Sequence, residues 1–257
     1  MKTFNGYHLT GIIPARYASS RFPGKPLVNI GGKTMIRRVY EQASLILDVV
    51  CVATDDERIH EEVLKFGGKS VLTSPSHQSG TDRCAEAVRI LSDKDGIKTD
   101  VVINIQGDEP FVKPEQIGLL VSCFADKTVE IATLIRKAKP DEDISNPNQP
   151  KVIVDISGNA IYFSRSIIPY YRDAEKSEWT KLHTYYKHLG LYAYRKETLN
   201  RITNLSRGLL EKAESLEQNR WIENGFKIRT AVTEWESICI DTPQDLEKAI
   251  EHFKKIK

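Results

Sequence analysis

Residues 9–27, LTGIIPARYASSRFPGKPL, decide the fold. Leu9–Pro14 is a largely apolar run ending at a proline, the pattern of a short strand buried on both faces. The chain then passes through small residues, the three cations Arg16, Arg21 and Lys25, and Gly24 before a helical pattern begins. In α/β sheets, ligands bind beyond the carboxyl ends of strands, which is where this loop falls. Its small residues let backbone N–H groups approach phosphate oxygens, and its cations can neutralise their charge. Neither GxGxxG nor GxxxxGK[ST] occurs, so a dinucleotide dehydrogenase and a Walker-type ATPase are disfavoured. A solvated basic loop is the competing local reading.

The pattern repeats beyond this loop. Residues 33–47 place Ile36, Val39, Ala43 and Ile46 on one helical face, and Val49–Ala53 is a second apolar run. TDDERIHEEVLKF (54–66) carries a buried stripe of Ile59, Val63 and Phe66, with Asp55, Asp56 and Glu57 as helix-start residues. Val71–Leu72 is a short strand, Thr81–Leu91 a helix, and Val101–Ile105 the clearest strand, bounded by Asp100 and by Gln106-Gly107. Strand–helix alternation predicts a doubly wound, mostly parallel α/β sheet of Rossmann-like type. From about residue 127 the rhythm turns β-rich. Val129–Ile135 and Lys151–Asp155 read as strands, Asn159–Phe163 pairs with the latter across Ser157-Gly158, and 188–194 is a further strand. Residues 139–150 form a proline-rich loop, and 242–256 a closing helix with Thr242 as N-cap. The expected organisation is a single domain over 1–257 with a smaller β-rich insertion at about 150–195.

Composition limits the function classes. Apolar residues make up 40% and charged residues 28%, with a net charge of +2. That balance lacks the strong basic excess of a nucleic-acid binder, and no run approaches the ~20 apolar residues of a membrane span. The start of the chain has no long apolar stretch of signal-peptide type. Cys51, Cys84, Cys123 and Cys239 lie far apart without metal-ligand spacing, so all four read as buried small hydrophobes in a reducing compartment. The expectation is a cytoplasmic protein without nucleic-acid or membrane partners.

Two carboxylates stand where chemistry can use them: Asp108 directly after the Val101–Ile105 strand, and Asp241 just before the last helix. With phosphate oxygens and water, two such hard ligands suit Mg²⁺; locally, a turn or cap role explains a lone acidic residue equally well. Glu109 and Asp245 read as structural, the latter at a helix start. In HQSGTDR (77–83), Ser79 and Gly80 can present backbone to a base and Arg83 can meet an anion, with a plain N-cap as the alternative. Lys187, Tyr185 and Tyr186 read as edge or interface residues.

The phosphate-type loop resembles the nucleotide-binding signature of CMP-Kdo synthetases, the 3-deoxy-manno-octulosonate cytidylyltransferases. The resemblance continues in order through ATDDERI (53–59), HQSGTDRCAE (77–86), NIQGDEP (104–110), KVIVD (151–155), YFSRSIIP (162–169), HLGLYAYR (188–195), LEKAESLEQNRW (210–221) and IDTPQDLE (240–247). It implies an enzyme that couples CTP and Kdo to CMP-Kdo and pyrophosphate, activating Kdo for lipopolysaccharide synthesis. It further implies CTP binding by Ala15, Arg16, Lys25, Ser79 and Gly80, and Kdo binding by Arg83, Gln106, His188, Tyr192, Glu217 and Gln218. Mg²⁺ falls to Asp108 and Asp241, and catalysis to Arg16, Lys25, Asp108 and Asp241. The family is commonly dimeric, and YFSRSIIPYY could pack against a second copy. The sequence departs from the family pattern at Leu205–Leu209, at Asn219, and at Cys239, where glycine is common. The rival readings are a CMP-sialic acid synthetase, a sugar-phosphate nucleotidyltransferase and an inactive nucleotide-binding regulator; retention of Lys25, Asp108 and Asp241 speaks against the last.

Overall fold

Strand β1 (Thr3–Phe4) folds back antiparallel onto β2 (Tyr7–Ala15), which carries the opening apolar run. The computed structural model describes residues 3–18, 21–236 and 238–255. Two compact units emerge: Met1–Gly118 with Ala193–Thr203 and Ser237–Lys257, and Leu119–Tyr192 with Asn204–Glu236.

In the first unit, β3 (Asn29–Ile30) and β4 (Lys33–Thr34) form a small antiparallel pair leading into α1 (Met35–Ser44). That pairing takes up residues 33 and 34, so the helix starts later than the apolar periodicity alone predicts. It buries Ile36, Val39 and Ala43, whereas Ile46 falls past its end and is exposed. Strand β5 (Val50–Thr54) is buried at every position, α2 (Glu57–Lys65) follows, and β6 (Ser70–Leu72) lies beside β5. Helix α3 (Gly80–Asp95) leads to β7 (Val101–Asn104), and α4 (Pro114–Ser122) comes after the Gln106–Pro110 turn. Strand β2 is central: it pairs in parallel with β5, Ala15 opposite Thr54, and with β7, Ile12 opposite Asn104, while β5 pairs in parallel with β6. Covered strands of this kind need apolar side chains on both faces. Burying each Val or Ile here contributes roughly 1.5–3 kcal/mol. The chain re-enters this unit at Ala193; the Lys196 amide donates to the Asp100 carbonyl at 3.0 Å, and α6 (Lys196–Thr203) begins there. Helix α9 (Pro243–Lys255) closes it.

In the second unit, β8 (Ile131–Lys137) pairs in parallel with β12 (Ile228–Val232), and β9 (Lys151–Val154) pairs antiparallel with β10 (Ala160–Ser164). The expected turn between β9 and β10 forms: Asp155 Oδ1 accepts the amides of Ser157 and Asn159, each at 2.8 Å. Strand β11 (Tyr186–Arg195) places Tyr186 antiparallel to Val152 of β9. Helices α5 (Trp179–Leu182), α7 (Leu209–Glu214) and α8 (Glu217–Glu223) complete the unit. Lys187 and Tyr185 are buried, not edge residues as their local sequence suggests. The Lys187 ammonium donates to Glu142 and, at 3.2 Å, to Gln149. Both partners come from the 139–150 loop, and a cation this deep needs such partners. Among the described residues, no helix is long and apolar enough to cross a membrane.

Gly107 sits where the turn after β7 meets the end of β2. A Cβ there would stand 2.9 Å from the Pro14 carbonyl oxygen, a backbone atom that cannot step aside alone. Gly107→Ala should therefore lower unfolding stability by about 1–3 kcal/mol, the usual cost of overpacking. Urea denaturation followed by circular dichroism checks this; an unchanged midpoint and slope would contradict it.

Candidate active site

The end of β2 delivers Ala15 and Arg16, and the following loop is braced from within. Gly24 adopts a left-handed φ of 73°, and its amide donates to the Tyr17 carbonyl at 2.8 Å. The Tyr17 ring lies 3.1 Å from where a Gly24 Cβ would be, so glycine is required on both counts. Arg58 stacks its guanidinium 3.3 Å from the Tyr17 ring centroid on α2. The short 3₁₀ turn Lys25–Leu27 then presents Lys25 inward.

From the neighbouring strand, β7 runs into Gln106, Gly107 and Asp108. The Ile240 amide donates to the Asp108 carbonyl at 3.0 Å and so brings Asp241 alongside. The start of α9 holds that segment in place: Asp245 Oδ2 accepts the amides of Asp241 and Thr242 at 3.2 and 3.0 Å, and Thr242 Oγ1 accepts the Asp245 amide at 3.2 Å. Asp245 is thus a capping residue, as its position suggests. Burial works against its charge, but these bonds hold its carboxyl below the usual range. Between the two free carboxylates lies one ammonium. Lys25 Nζ donates to Asp108 Oδ2 at 2.6 Å and to Asp241 Oδ1 at 3.0 Å, with the Ile240 carbonyl at 3.3 Å. Arg21 pairs with Asp241 at 3.1 Å. Burial opposes the charge on Lys25, yet Asp108 and then Asp241 hold its pKa above the ordinary lysine value.

Ala15, Arg16, Arg21, Lys25, Gln106, Asp108 and Asp241 line a cavity of about 390 Å³, within the size range of ligand pockets. A larger groove of about 500 Å³ lies between α3 and α6, lined by His77, Glu86, Arg89 and Lys196 among others. There His77 and Glu86 already satisfy each other at 2.5 Å, and the phosphate-type loop is not part of it.

Ser79 caps α3 in a reciprocal box with Asp82, at 3.1 and 3.2 Å. A Cβ on Gly80 would come within 3.2 Å of the Pro14 ring, so this helix start abuts the end of β2. Arg83 differs from its expectation as an anion-binding cation. Its side chain is fully buried, donating to Thr73 Oγ1 at 2.6 Å and to Asp55 Oδ2 at 3.1 Å. Burial pushes its pKa down, Asp55 opposes that, and the nearby charge of Arg16 adds to it. Two of its guanidinium nitrogens are thus committed to protein partners. Asp56 caps α2 as expected, accepting the Arg58 amide at 3.0 Å, whereas Asp55 turns away to pair with Arg83.

In the second unit, His188 packs among Phe163 and Tyr192, with ring centroids 4.9 and 5.2 Å away, and Thr133 Oγ1 lies 3.0 Å from its Nε2. Burial pushes the imidazole down to about 3, so it is neutral, and pushes the Tyr192 phenol well up. Trp221 of α8 meets Tyr192 edge-on at 5.2 Å. Glu217, the first residue of α8, lies close enough for its charge to raise Tyr192 further, and Gln218 beside it is buried. The unit thus brings His188, Tyr192 and Glu217 to one aromatic cluster, with Gln218 next to Glu217 in the chain.

A sequence model of a family described as cytidylyltransferase matches residues 10–230. The chain is 57% identical over 244 residues to the 3-deoxy-manno-octulosonate cytidylyltransferase of Parabacteroides distasonis, covering 93% of this chain and 96% of that protein. It is 58% identical over 247 residues to the enzyme of that name from Bacteroides thetaiotaomicron, covering 95% and 97%. This chain belongs to the 3-deoxy-manno-octulosonate cytidylyltransferases. A solved structure of CMP:2-keto-3-deoxy-manno-octonic acid synthetase complexed with CTP superposes with a TM-score of 0.87 at 41% identity, over 97% of this chain and 99% of that one. A 4-diphosphocytidyl-2C-methyl-D-erythritol synthase from Anaerococcus prevotii matches at 13% identity with a TM-score of 0.59, covering 97% and 99%, and shares the fold alone.

Two features of this cytidylyltransferase go beyond the residues assigned to the site from the sequence. Arg21, one of the loop cations able to neutralise phosphate charge, joins the cavity through Asp241. Cys239 departs from its expected burial: it is exposed, and its sulfur lies within 4.8 Å of a carboxylate oxygen of both Asp108 and Asp241. Its place two residues before Asp241 was the one available signal. Although the residue is exposed, desolvation of the sulfur and then the charges of Asp108 and Asp241 push the thiol's pKa up, so it is a neutral S–H.

The neutral His188 makes a pH prediction. An unfolded histidine titrates near 6.5, whereas folded His188 lies at about 3. Above pH 6.5 neither state binds the proton and the folded state keeps its full advantage. As pH falls toward 3, only the unfolded state takes up the proton, and stability drops by at most about 1.4 kcal/mol per pH unit. His188→Gln, which retains a hydrogen-bonding group for Thr133, should flatten that limb. Urea unfolding at pH 7 and pH 5 checks this: wild type should lose about 1–2 kcal/mol more than the variant. Parallel losses would contradict it.

Proposed function

We propose that this enzyme joins CTP and Kdo to give CMP-Kdo and pyrophosphate, with Mg²⁺ on Asp108 and Asp241. The observation that carries this reading is the Lys25 ammonium held between those two carboxylates at the end of the phosphate-type loop. The pair already accommodates one cation, and its hard oxygen donors match the ligand preference of Mg²⁺. When bound, Mg²⁺ would neutralise charge on the α-phosphate and acidify the attacking sugar hydroxyl.

The protein's own share is positioning and charge. Kdo attacks the α-phosphorus of CTP through its anomeric 2-hydroxyl oxygen; the new P–O bond forms as the bond to pyrophosphate breaks, and the hydroxyl proton leaves to water. Arg16 and Lys25 hold the triphosphate; with a divalent cation on Asp108 and Asp241, Lys25 would be available to the phosphate oxygens. Electrostatic preorganisation of this type supplies most of the rate in phosphoryl-type transfers. Ala15, Ser79 and Gly80 present backbone to the nucleotide, and Gln106 faces the substrate. His188, Tyr192, Glu217 and Gln218 recognise the sugar hydroxyls, His188 as a neutral hydrogen-bonding group. Arg83 acts through Asp55 and the loop before α3, holding the nucleotide side in shape. The same reading places the enzyme in the cytoplasm, supplying activated Kdo for lipopolysaccharide synthesis. It also makes the enzyme a homodimer, which would cover the exposed Ile161 and Tyr170.

Two tests follow. Purified enzyme with CTP, Mg²⁺ and Kdo should release pyrophosphate and form CMP-Kdo with far higher efficiency than with sialic acid. A pocket of hydrogen-bonding groups rejects an analogue that leaves them unpaired. Gln218→Ala should lower kcat/KM for Kdo by an amount equivalent to about 1–3 kcal/mol. Equal use of the two sugars would contradict the substrate assignment. Asp108→Asn and Asp241→Asn should each lower kcat by roughly 10²-fold or more and raise the Mg²⁺ requirement. The double variant should lose less than the sum, because residues sharing one ion act as a unit. An unaltered Mg²⁺ titration in either single variant would rule out a shared site.

A further inference from the structure

Glu217 and Gln218, to which the proposed reaction gives sugar recognition, open a helix that has little to hold it on its own. Helix α8 has seven residues, and no side chain caps its first turn. Isolated helices shorter than ~12–15 residues are marginal in water. Two positions before it, Ser215 takes the left-handed conformation, φ 50° and ψ 44°, which residues with a side chain seldom adopt. The stretch is fixed from outside the helix.

Two side chains fix it, one on each side of Glu217 and Gln218, and both reach the end of β10. Glu214 Oε1 accepts the Ser164 hydroxyl at 2.6 Å and the Tyr162 hydroxyl at 3.1 Å, and its Oε2 accepts the Arg165 amide at 2.9 Å. Burial works against its charge, but these bonds hold its carboxyl below the usual range. Arg165 donates in return, from Nε to the Glu214 carbonyl at 2.6 Å and from Nη2 to the Ser215 carbonyl at 3.2 Å. A helix end leaves such carbonyls without an intrahelical partner. Asn219 is the second anchor. It is fully buried, its Oδ1 accepts the Phe163 amide at 3.3 Å, and its Nδ2 donates to the Phe163 carbonyl at 2.9 Å. One side-chain amide thus takes both backbone groups of a buried strand residue, groups that are seldom left unpaired. Asn219 is also a position at which this sequence departs from the family pattern.

We propose that Glu214 and Asn219 are positioning residues for the sugar: they hold residues 214–219 against β10 and so fix Glu217 and Gln218, without touching substrate themselves. The inference rests on the assignment of Glu217 and Gln218 to Kdo. Recognition by hydrogen bonds needs side chains held to within about 0.5 Å, and α8 alone does not supply that. Loss of either anchor weakens the hold on the sugar. The nucleotide is untouched, because Arg16, Lys25, Asp108 and Asp241 all belong to the first unit.

The test is steady-state kinetics with each substrate varied in turn, together with hydrogen–deuterium exchange of the free enzyme. Glu214→Ala and Asn219→Ala should each raise KM for Kdo about tenfold or more, the scale on which small misplacements are felt. KM for CTP should stay within about twofold, and kcat should fall less than KM for Kdo rises, the mark of lost ground-state binding. Glu214→Gln keeps the length and an acceptor oxygen, and should recover most of the loss. In a Gln218→Ala background, Glu214→Ala should cost only about threefold, because a residue that acts through Gln218 has less left to lose. Amides of residues 216–223 should exchange about tenfold faster in each alanine variant, with β8 and β12 as protected as in wild type. An unchanged KM for Kdo in both alanine variants overturns the proposal. Parallel rises in KM for both substrates, full additivity with Gln218→Ala, or unchanged exchange over 216–223 overturn it as well. If an alanine variant does not fold, Glu214→Asp and Asn219→Ser shorten the anchors instead; a rise of about threefold in KM for Kdo is then expected, and none overturns the proposal. Wild-type turnover of CTP and Kdo is scored first. If wild type uses Kdo and the anchor variants match it, the positioning role fails and the proposed function stands. If wild type does not use Kdo, the proposed function fails, and hydrogen exchange still decides whether Glu214 and Asn219 hold this stretch.

Discussion

One ammonium between two carboxylates organises this molecule's first unit. Asp108 arrives at the end of β7 and Asp241 ahead of α9, 133 residues apart by their numbers in the sequence. Without a cation, two carboxylates this close would repel and one would tend to hold a proton. Lys25 Nζ, at 2.6 and 3.0 Å, resolves that conflict. The surrounding features serve that arrangement. Gly107 lets the β7 turn close against Pro14, the bond from Ile240 to Asp108 sets the two acidic residues side by side, and the Asp245 cap fixes the approach to α9. In the proposed reaction the same arrangement becomes a cation exchange. A divalent ion held by Asp108 and Asp241 would take the place of the ammonium, and the lysine would be free to hold phosphate oxygens. The carboxylates would then face a doubly charged ion in place of a singly charged one, and the substrate would gain the lysine.

The second unit follows a different logic. Its candidate sugar residues are mostly neutral: burial keeps the His188 imidazole uncharged and the Tyr192 phenol protonated. Fixed neutral groups discriminate by hydrogen-bond pattern, which suits a polyhydroxylated ligand better than a cationic cluster would. Two of the buried cations of this unit, Arg136 and Lys187, are satisfied internally by Glu142. They serve the architecture of the 139–150 loop.

The sequence disclosed the fold through its strands. VCVAT at 50–54 and VVIN at 101–104 are apolar at nearly every position because both faces are covered, and that requirement is local. The Asp155–Asn159 turn was visible for the same reason. The candidate site was half legible. Lys25, Asp108 and Asp241 follow from strand-end logic and family resemblance. What escaped depends on partners remote in sequence. Arg83 reads as an available cation until Asp55, 28 residues away, is seen to hold it. Lys187 reads as an edge residue until Glu142, 45 residues away, is found beside it. Cys239 reads as one more buried thiol until the Ile240–Asp108 bond brings it to the carboxylates. Periodicity records which face a residue occupies, but not which charge will meet it there.

The central claim is that Lys25 holds the place of a divalent cation and yields it when the triphosphate binds. A crystal structure of this enzyme with CTP and Mg²⁺ measures that directly. The account predicts a metal ion coordinated by both Asp108 and Asp241, with Lys25 Nζ moved out of hydrogen-bonding distance of the pair and onto phosphate oxygens. A nucleotide complex in which Nζ still lies between the two carboxylates, with the metal bound elsewhere, would contradict it.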